Sequence, residues 1–253
     1  MNRPPRVLVI AGSDSSGGAG IQADIKTITM LGGYAMTAIT AITAQNTLGV
    51  TAVEALAPGL VAAQIDACLT DIGADAVKIG MLGSAALGHM VADRLETLTC
   101  PIVFDPVMIA TSGAVLADGE TIAAFERLMA LATLTTPNVP ELAVLGGDAA
   151  MARRGIAYLA KGGDAQGAVL EDRLVRPGAE PLTWHSSRIE TRHTHGTGCT
   201  LASAIATALG AGLGLVEAVG QGRDFVRAAL LAAPGFGAGH GPLGHQAVRQ
   251  SSS

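Results

Sequence analysis

The residues best placed to do chemistry are Thr194–Thr200, which read THGTGCT directly before a long apolar helical stretch. Gly196 and Gly198 allow backbone N–H groups to turn toward one point, and the start of a helix adds partial positive charge. Such a loop can bind an anion, above all a phosphoryl group during transfer. Cys199 lies at the same helix start, so we expect the helix to lower the pKa of its thiol. The spacing alone is equally compatible with a glycine-rich turn and an inert, buried Cys199.

A second glycine-rich loop, Gly12–Gly20, follows the first predicted strand, Val7–Ala11. Ligands of open α/β sheets gather at the carboxyl ends of strands, so this loop is predicted to face the site. It lacks the GxGxxG spacing of nicotinamide enzymes, and the chain has no GxxxxGK(S/T) motif, which excludes a P-loop. Taken alone, the loop is also consistent with a flexible connection.

Polar residues follow two other predicted strands. Asp105 ends the strand Ile102–Phe104, and Asn138 and Glu141 come after the strand Thr133–Thr136. Carboxylates at neighbouring strand ends can hold Mg²⁺ through water while substrate phosphates complete its coordination. Asn138 and Glu141 also have the pattern of a helix N-cap and a first-turn acid, and the two interpretations are compatible.

Other catalytic chemistries lack their usual anchors. The chain has no CxxC, HExxH or GxSxG motif, which argues against zinc hydrolysis and α/β-hydrolase chemistry. His193 and His195 are two residues apart and would face opposite sides of an extended segment. We therefore expect no metal pair there, although one of the two can contact the site.

The composition predicts a globular protein with a large core, since 49% of the 253 residues are hydrophobic and only 15% are charged. A net charge of −5 argues against a nucleic-acid partner. Three cysteines are a sparse, odd set that favours a reducing, cytoplasmic location. The apolar run after the N-terminal arginines is too short for a signal peptide. The stretch Cys199–Val216 is rich in small residues and predicts a core helix, so we expect no membrane association.

Short β-branched runs alternate with Ala-rich stretches, which predicts an α/β fold with a mainly parallel sheet and helices on both faces, in one domain spanning 1–253. The further predicted strands are Thr37–Thr43, Val50–Leu56, Ala76–Ile79 and an antiparallel pair, Val169–Val175 and Thr183–Ile189. The predicted helices run from the Gly20 loop to Leu31, over Val61–Ile72 after Pro58, over Thr121–Leu131 and Thr200–Leu209, and in two parts over Leu215–Ala232. The segment 148–163 has no clear assignment, and the tail beyond Pro234 is predicted to be disordered.

Six ordered segments resemble the hydroxymethylpyrimidine/phosphomethylpyrimidine kinase family of the ribokinase-like superfamily. They are AGSDSSGGAGIQADIKT from Ala11, TAITAQNT from Thr40, KIGML from Lys78, DPVM from Asp105, TPNVPE from Thr136 and THGTGCT from Thr194. Each segment is modest evidence, whereas the ordered set is specific. The resemblance implies a ribokinase-like three-layer sandwich, often a homodimer. It also implies ATP- and Mg²⁺-dependent phosphorylation of a hydroxymethylpyrimidine, and then of its monophosphate.

The resemblance further implies residue roles. Cys199 corresponds to the proposed base beside the substrate hydroxyl, and Gly196, Thr197 and Gly198 correspond to the anion hole. Asp105 and Glu141 correspond to residues serving Mg²⁺, and Lys161 and Thr194 to residues near ATP. The positions that correspond to pyrimidine-binding residues are Gly12, Asp24, Gln45, Met81 and Val107.

The chain departs from the family pattern in four places. Asp164, Thr111 and His193 replace a histidine, a lysine and an asparagine, respectively. The segment from Glu141 to Lys161 is shorter than usual, so the strand before Lys161 is expected to be reduced to Ile156–Ala160 or absent, which would disturb the ATP side. Two alternatives therefore remain: a pyridoxal/pyridoxine kinase, and a catalytically weak or silent binding relative. Cys199 favours the pyrimidine over pyridoxal, because many pyridoxal kinases have Asp at that position.

Overall fold

The computed structural model describes residues 3–109, 116–163 and 167–248. Its strands form one sheet in the order β3-β2-β1-β4-β5-β6-β7-β8-β9. The strands are β1 (Arg6–Asp14), β2 (Tyr34–Asn46), β3 (Gly49–Ala55), β4 (Ala76–Ile79), β5 (Ile102–Phe104), β6 (Leu134–Thr135), β7 (Tyr158–Ala160), β8 (Val169–Val175) and β9 (Leu182–Ser187).

The centre of the sheet is parallel and its two margins are antiparallel. β1 pairs in parallel with β2 and β4, and the parallel pairing continues through β5 and β6 to β7. β3 is antiparallel to β2, and β8 and β9 form an antiparallel pair next to β7. Because parallel neighbours need crossover connections, helices separate the central strands, and the carboxyl ends of those strands meet at one edge.

The helices form a layer on each face of the sheet. They are α1 (Gly20–Met30), α2 (Pro58–Asp71), α3 (Ala85–Leu95), α4 (Gly119–Leu131), α5 (Val139–Val144), α6 (Gly147–Arg154), α7 (Thr197–Gly210) and α8 (Leu215–Leu231), followed by a short 3-10 helix, His245–Ala247. Successive residues of β1 point to opposite faces. Leu8 and Ile10 accordingly pack in a core with α2, α3 and α4, whereas Val7 and Val9 pack in a core with α1, α7 and α8. The predicted three-layer α/β architecture is confirmed.

Some predicted strands have the observed bounds, whereas one observed helix was not predicted. The strands Ala76–Ile79 and Ile102–Phe104 have the predicted bounds. Helix α3 was not predicted; it begins after Ser84, whose Oγ accepts a hydrogen bond from Leu87 N at 3.2 Å. The two predicted helical parts at Leu215–Ala232 are one continuous helix, α8.

One of the two expectations about irregular segments is confirmed and the other is wrong. The strand before Lys161 is reduced, as expected, to three residues within Ile156–Ala160: it is β7, which pairs with β6 on one side and β8 on the other. The tail beyond Pro234 is ordered as far as Val248, because His240 N donates to the Thr47 carbonyl at 2.8 Å and Leu243 is buried. Thr111, Asp164 and the final serines lie outside the described residues. None of the helices in the described ranges is long and apolar enough to cross a membrane.

Candidate active site

A cavity of about 920 Å³ opens along the carboxyl ends of the parallel strands. Its volume lies within the range of small-molecule sites. All but one of the predicted site residues line it: Gly12, Gln45, Met81, Asp105, Val107, Glu141, Lys161, Thr194, Gly196, Thr197, Gly198 and Cys199. The topology thus brings together residues from seven separate parts of the chain.

The loop before α7 has the geometry of an anion site. Gly196 has a φ of 88°, in the left-handed region, and a Cβ there would overlap the Gly18 carbonyl. Only glycine therefore lets this loop lie against the loop after β1. The N–H groups of the first turn of a helix have no acceptor inside the helix, and the first residues of α7, Thr197, Gly198 and Cys199, line the cavity. A Cβ on Gly198 would lie 3.3 Å from Lys161 Nζ, which places that ammonium next to the loop.

Cys199 lies in the first turn of α7 and lines the cavity, and the residue as a whole is half-buried. Burial raises the pKa of its thiol to about 11, against the opposing attraction of the Lys78 ammonium. The predicted lowering of this pKa is therefore wrong for the protein without ligands, because loss of solvation outweighs the helix start. A negative charge on the sulfur has to be supported by nearby cations.

Asp105, Lys161 and Glu141 form a charged cluster beside the anion loop, which is residues 194–198 at the start of α7. Lys161 Nζ lies 2.7 Å from Asp105 Oδ1, which also accepts a hydrogen bond from Thr136 Oγ1 at 3.0 Å. Glu141 forms the predicted capping box with Asn138 at the start of α5. Burial raises the pKa of Glu141 to about 7, although Lys161 acts in the opposite direction. A cation arriving at this cluster would favour the ionised carboxylate.

The cluster suits a magnesium ion that arrives with phosphates. In the described part of the chain, no group of three His, Cys, Asp or Glu side chains could hold a metal by itself. Mg²⁺ commonly uses one or two carboxylates and completes its coordination with phosphate oxygens and water. Asp105 and Glu141 line the cavity and provide two such carboxylates, so the residues present fit this mode of binding.

A second part of the cavity is lined by Gly12, Gln45, Met81 and Val107. A Cβ on Gly12 would overlap the methyl group of Met81, so the glycine keeps this part of the cavity open. The Gln45 side chain accepts a hydrogen bond from Thr43 Oγ1 at 3.0 Å, and its amide nitrogen lies 3.3 Å from His195 Nε2. The arrangement combines apolar walls with one fixed amide and suits a small, flat polar ring.

Asp24 does not line the cavity. This corrects the prediction that its side chain contacts the pyrimidine. Its side chain is 0% exposed. Its carboxylate lies 2.8 Å from Lys78 Nζ and accepts a hydrogen bond from Ser203 Oγ at 2.7 Å. Asp24 therefore lies beneath the site, where a ligand would have no access to it.

The sequence gives no role to two further residues, Asp14 and Lys78. Asp14 accepts hydrogen bonds from Gly18 N at 3.1 Å and Ala19 N at 2.8 Å, and it contacts His195 at 2.8 Å. Lys78 interrupts the apolar run of β4 and is fully buried. A lysine in a strand that is buried on both faces needs an acidic partner. The sequence feature that could have identified Lys78 is therefore this interruption of the apolar run.

The other end of the cavity is formed by β9 and α8. Val226, Leu230 and Ile189 supply apolar surface. Arg227 Nη1 donates to the Ser187 carbonyl at 2.8 Å, and Arg223 Nε lies 2.7 Å from Asp172 Oδ2. The apolar residues of this part of the cavity can accept a planar base.

Comparisons with known proteins point to one family. A family model described as phosphomethylpyrimidine kinase matches residues 14–244. A hydroxymethylpyrimidine/phosphomethylpyrimidine kinase of Rhizobium meliloti is 45% identical, with 94% of this chain and 96% of that protein covered. A crystal structure of a phosphomethylpyrimidine kinase from Clostridium difficile has a TM-score of 0.75 and 38% identity, with 88% and 98% of the two chains covered. An ADP complex of Bacillus subtilis pyridoxal kinase has a TM-score of 0.85 and 30% identity, with 97% and 98% covered.

Proposed function

The chain belongs to the phosphomethylpyrimidine kinase family, and from this premise we propose the reaction that it catalyses. It transfers the γ-phosphoryl group of ATP to the 5-hydroxymethyl group of 4-amino-5-hydroxymethyl-2-methylpyrimidine, and then phosphorylates the monophosphate to the diphosphate, in thiamine biosynthesis. The observation that supports this most is that Cys199, the anion loop and the Asp105–Lys161 pair line one cavity. A single domain spanning 1–253 and a cytoplasmic location are part of the same proposal.

Cys199 is the base that accepts the proton of the substrate hydroxyl. The Cys199 thiolate takes the proton of the hydroxymethyl group as that oxygen attacks the γ-phosphorus. The new O–P bond forms, the bond from phosphorus to the ADP oxygen breaks, and the sulfur is left as a thiol. Phosphoryl transfer depends more on alignment and charge neutralisation than on covalent help, so a weakly populated base is sufficient.

Two sets of groups stabilise the negative charge on the phosphoryl group during its transfer. The start of α7 carries partial positive charge and presents Gly196, Thr197 and Gly198 to the cavity, and the Lys161 ammonium lies beside Gly198. Asp105 and Glu141 would hold Mg²⁺ through water, and that ion would neutralise charge on the ATP phosphates. Thr194 lines the same part of the cavity.

The pyrimidine occupies the end lined by Gly12, Gln45, Met81 and Val107. The Gln45 amide hydrogen-bonds the ring or its amino group, which a plain sugar cannot match. Pyridoxal is a second candidate acceptor, since the pyridoxal kinase of B. subtilis is similar over nearly the whole chain. The pyrimidine is preferred because the R. meliloti relative at 45% identity carries the pyrimidine kinase name.

We also propose a homodimer formed around the outer strand β3. This strand is exposed over residues 51–55, and the edge of a sheet readily pairs with another chain. Exposed apolar side chains lie on the same hairpin and at the start of α2: Ile42, Leu48, Val53 and Leu60. Sedimentation of the protein at micromolar concentration tests this state, and a monomer at that concentration would contradict it.

A coupled assay of ADP release with Mg²⁺ tests the function. Four reactions are compared. Three contain hydroxymethylpyrimidine, its monophosphate or pyridoxal as the acceptor, and the fourth contains no acceptor. We expect turnover with both pyrimidines above the no-acceptor rate. Turnover with pyridoxal alone would assign the chain to the alternative function. No turnover, together with pyrimidine binding in calorimetry, would indicate a catalytically silent relative.

A further inference from the structure

A buried ion pair lies directly under the anion loop. Lys78 Nζ is 2.9 Å from Asp24 Oδ1 and 2.8 Å from Asp24 Oδ2, and both side chains are 0% exposed. Lys78 comes from β4 and Asp24 from α1, so the pair ties the sheet to one helical layer. Gly80 follows on β4, and a Cβ there would lie 2.9 Å from Lys78 Nζ.

Stability alone is a weak reason for such a pair. Removing two charges from water costs several kcal/mol per ion, and apolar residues of similar size often serve a core at least as well. The pair also lies among the wholly buried residues of a tightly packed sheet, including Val77 and Ile79 on either side of Lys78. A buried cation at this place is therefore expected to act on a neighbouring group.

That neighbour is Cys199. Ser203 donates to Asp24 Oδ1 at 2.7 Å, and Ser203 follows Cys199 by four residues in α7. Side chains four apart lie on one face of a helix, one above the other. The Lys78–Asp24 pair is thus directed at the helix face that carries Cys199, one turn closer to the helix start.

We propose that Lys78 is a positioning residue for the reaction, whose ammonium, held in place by Asp24, stabilises negative charge on the Cys199 sulfur. This goes beyond the transfer reaction itself, and its catalytic consequence rests on the proposed function. The charged groups that face the sulfur are Lys78 on β4, Asp24 on α1, Asp105 after β5 and Lys161 after β7. Among these, Lys78 has the strongest favourable effect on the thiolate.

The ammonium is held in its charged form. Burial opposes the charged form of Lys78, but Asp24, the Cys199 sulfur and Asp105 together outweigh it and raise the pKa of Lys78 above its ordinary value. Lys78 is therefore a cation at neutral pH. Its positive charge partly offsets the burial that opposes ionisation of the Cys199 thiol.

Alkylation of Cys199 by iodoacetamide tests the inference without using kinase activity. Cys68 and Cys100 are first replaced in the full chain (Cys68→Ala, Cys100→Ala), so that a single thiol reacts. Lys78→Gln then removes the charge and retains an N–H donor for Asp24. We expect alkylation at about pH 9 to slow roughly tenfold, the effect of raising a thiol pKa by about one unit. The turnover number should fall with it, whereas the KM for ATP should change little.

The control is Arg127→Gln, which removes one positive charge from the α3–α4 surface, where Arg127 pairs with Asp93; its alkylation rate should be unchanged. Circular dichroism checks that each variant is folded. If Lys78→Gln does not fold, the double variant Lys78→Met, Asp24→Asn removes both charges and should also slow alkylation. An unchanged rate in a folded Lys78 variant would overturn the inference. If alkylation slows but the chain never phosphorylates a pyrimidine, the proposed function fails and the electrostatic inference stands.

Discussion

His195 Nε2 lies 2.8 Å from Oδ2 of Asp14, and this contact joins two glycine-rich loops that are 181 residues apart in the sequence. Burial opposes ionisation of Asp14, but hydrogen bonds from His195, Ser16 and Ala19 outweigh it and lower the pKa of Asp14. The carboxylate is therefore an ionised acceptor, and His195 donates its Nε2–H to it. The Gln45 amide nitrogen lies 3.3 Å from the same Nε2. Because Nε2 already donates to Asp14, the imidazole packs against this amide, and the Asp14–His195 pair lies beside the pyrimidine end of the cavity.

Replacing His195 should therefore weaken acceptor binding more than ATP binding. We expect His195→Gln to lower kcat/KM for hydroxymethylpyrimidine roughly tenfold or more, as for loss of a hydrogen bond to a charged group. Steady-state kinetics with each substrate varied in turn measures this. His193→Gln is the control, since His193 is not part of the cavity lining. Equal losses for both substrates would contradict a role at the pyrimidine end.

Replacing Cys199 should affect turnover rather than binding. We expect Cys199→Ser to bind ATP and the pyrimidine with nearly unchanged affinity in calorimetry, while turnover falls by at least roughly 10²-fold, as for loss of a general base. Cys100→Ser, outside the cavity, should retain full activity. A Cys199→Ser enzyme with near-normal turnover would remove Cys199 from the chemistry.

Enlarging Gly12 should close the pyrimidine end. A Cβ at this position overlaps the Met81 methyl group, so Gly12→Ala displaces Met81 into the space for the ring. We expect the KM for the pyrimidine to rise roughly tenfold, since overpacking typically costs about 1–3 kcal/mol. Gly59→Ala is the control, because a Cβ there meets no other atom within 4 Å. Met81→Ala in the Gly12→Ala background should restore part of the affinity, and a failure to do so would argue against this packing.

Glu141 should make the stability of the free protein depend on pH. Its folded pKa is about 7, above the ordinary value of 4.5. Between these values the folded state retains a proton that the unfolded state has lost, so stability falls as pH rises through this window. Thermal unfolding followed from about pH 5 to 7 should show a decline of up to about 1.4 kcal/mol per pH unit that Glu141→Gln lacks. Parallel curves for the two proteins would show that Glu141 is not the group responsible.

The sequence was most informative where a short apolar run has clear ends. The strands Ala76–Ile79 and Ile102–Phe104 are bounded by polar, Gly or Pro residues, and both have their predicted limits. Helix α3 was missed because Gly88 interrupts its pattern. The structure shows why a glycine is there: its Cβ would lie 3.0 Å from the Ala124 methyl group, so α3 and α4 approach closely.

What the sequence could not show depends on contacts between distant residues. Asp24 and Lys78 are 54 residues apart, and only the topology reveals that they pair below the site. The rise in the Cys199 pKa follows from burial, which the position of the residue at a helix start does not reveal. The tail beyond Pro234 has the composition of a disordered segment, yet Gly237 and Gly239 allow its backbone to lie against Thr47.

The proposed acceptor is tested most directly when hydroxymethylpyrimidine and pyridoxal compete for ATP in one reaction. The enzyme receives ATP, Mg²⁺ and equal concentrations of hydroxymethylpyrimidine and pyridoxal, and ³¹P NMR follows the products. We expect pyrimidine monophosphate first, then pyrimidine diphosphate, with pyridoxal phosphate as a minor product. Formation of pyridoxal phosphate alone, or ATP left unchanged while the pyrimidine is bound, would contradict this expectation.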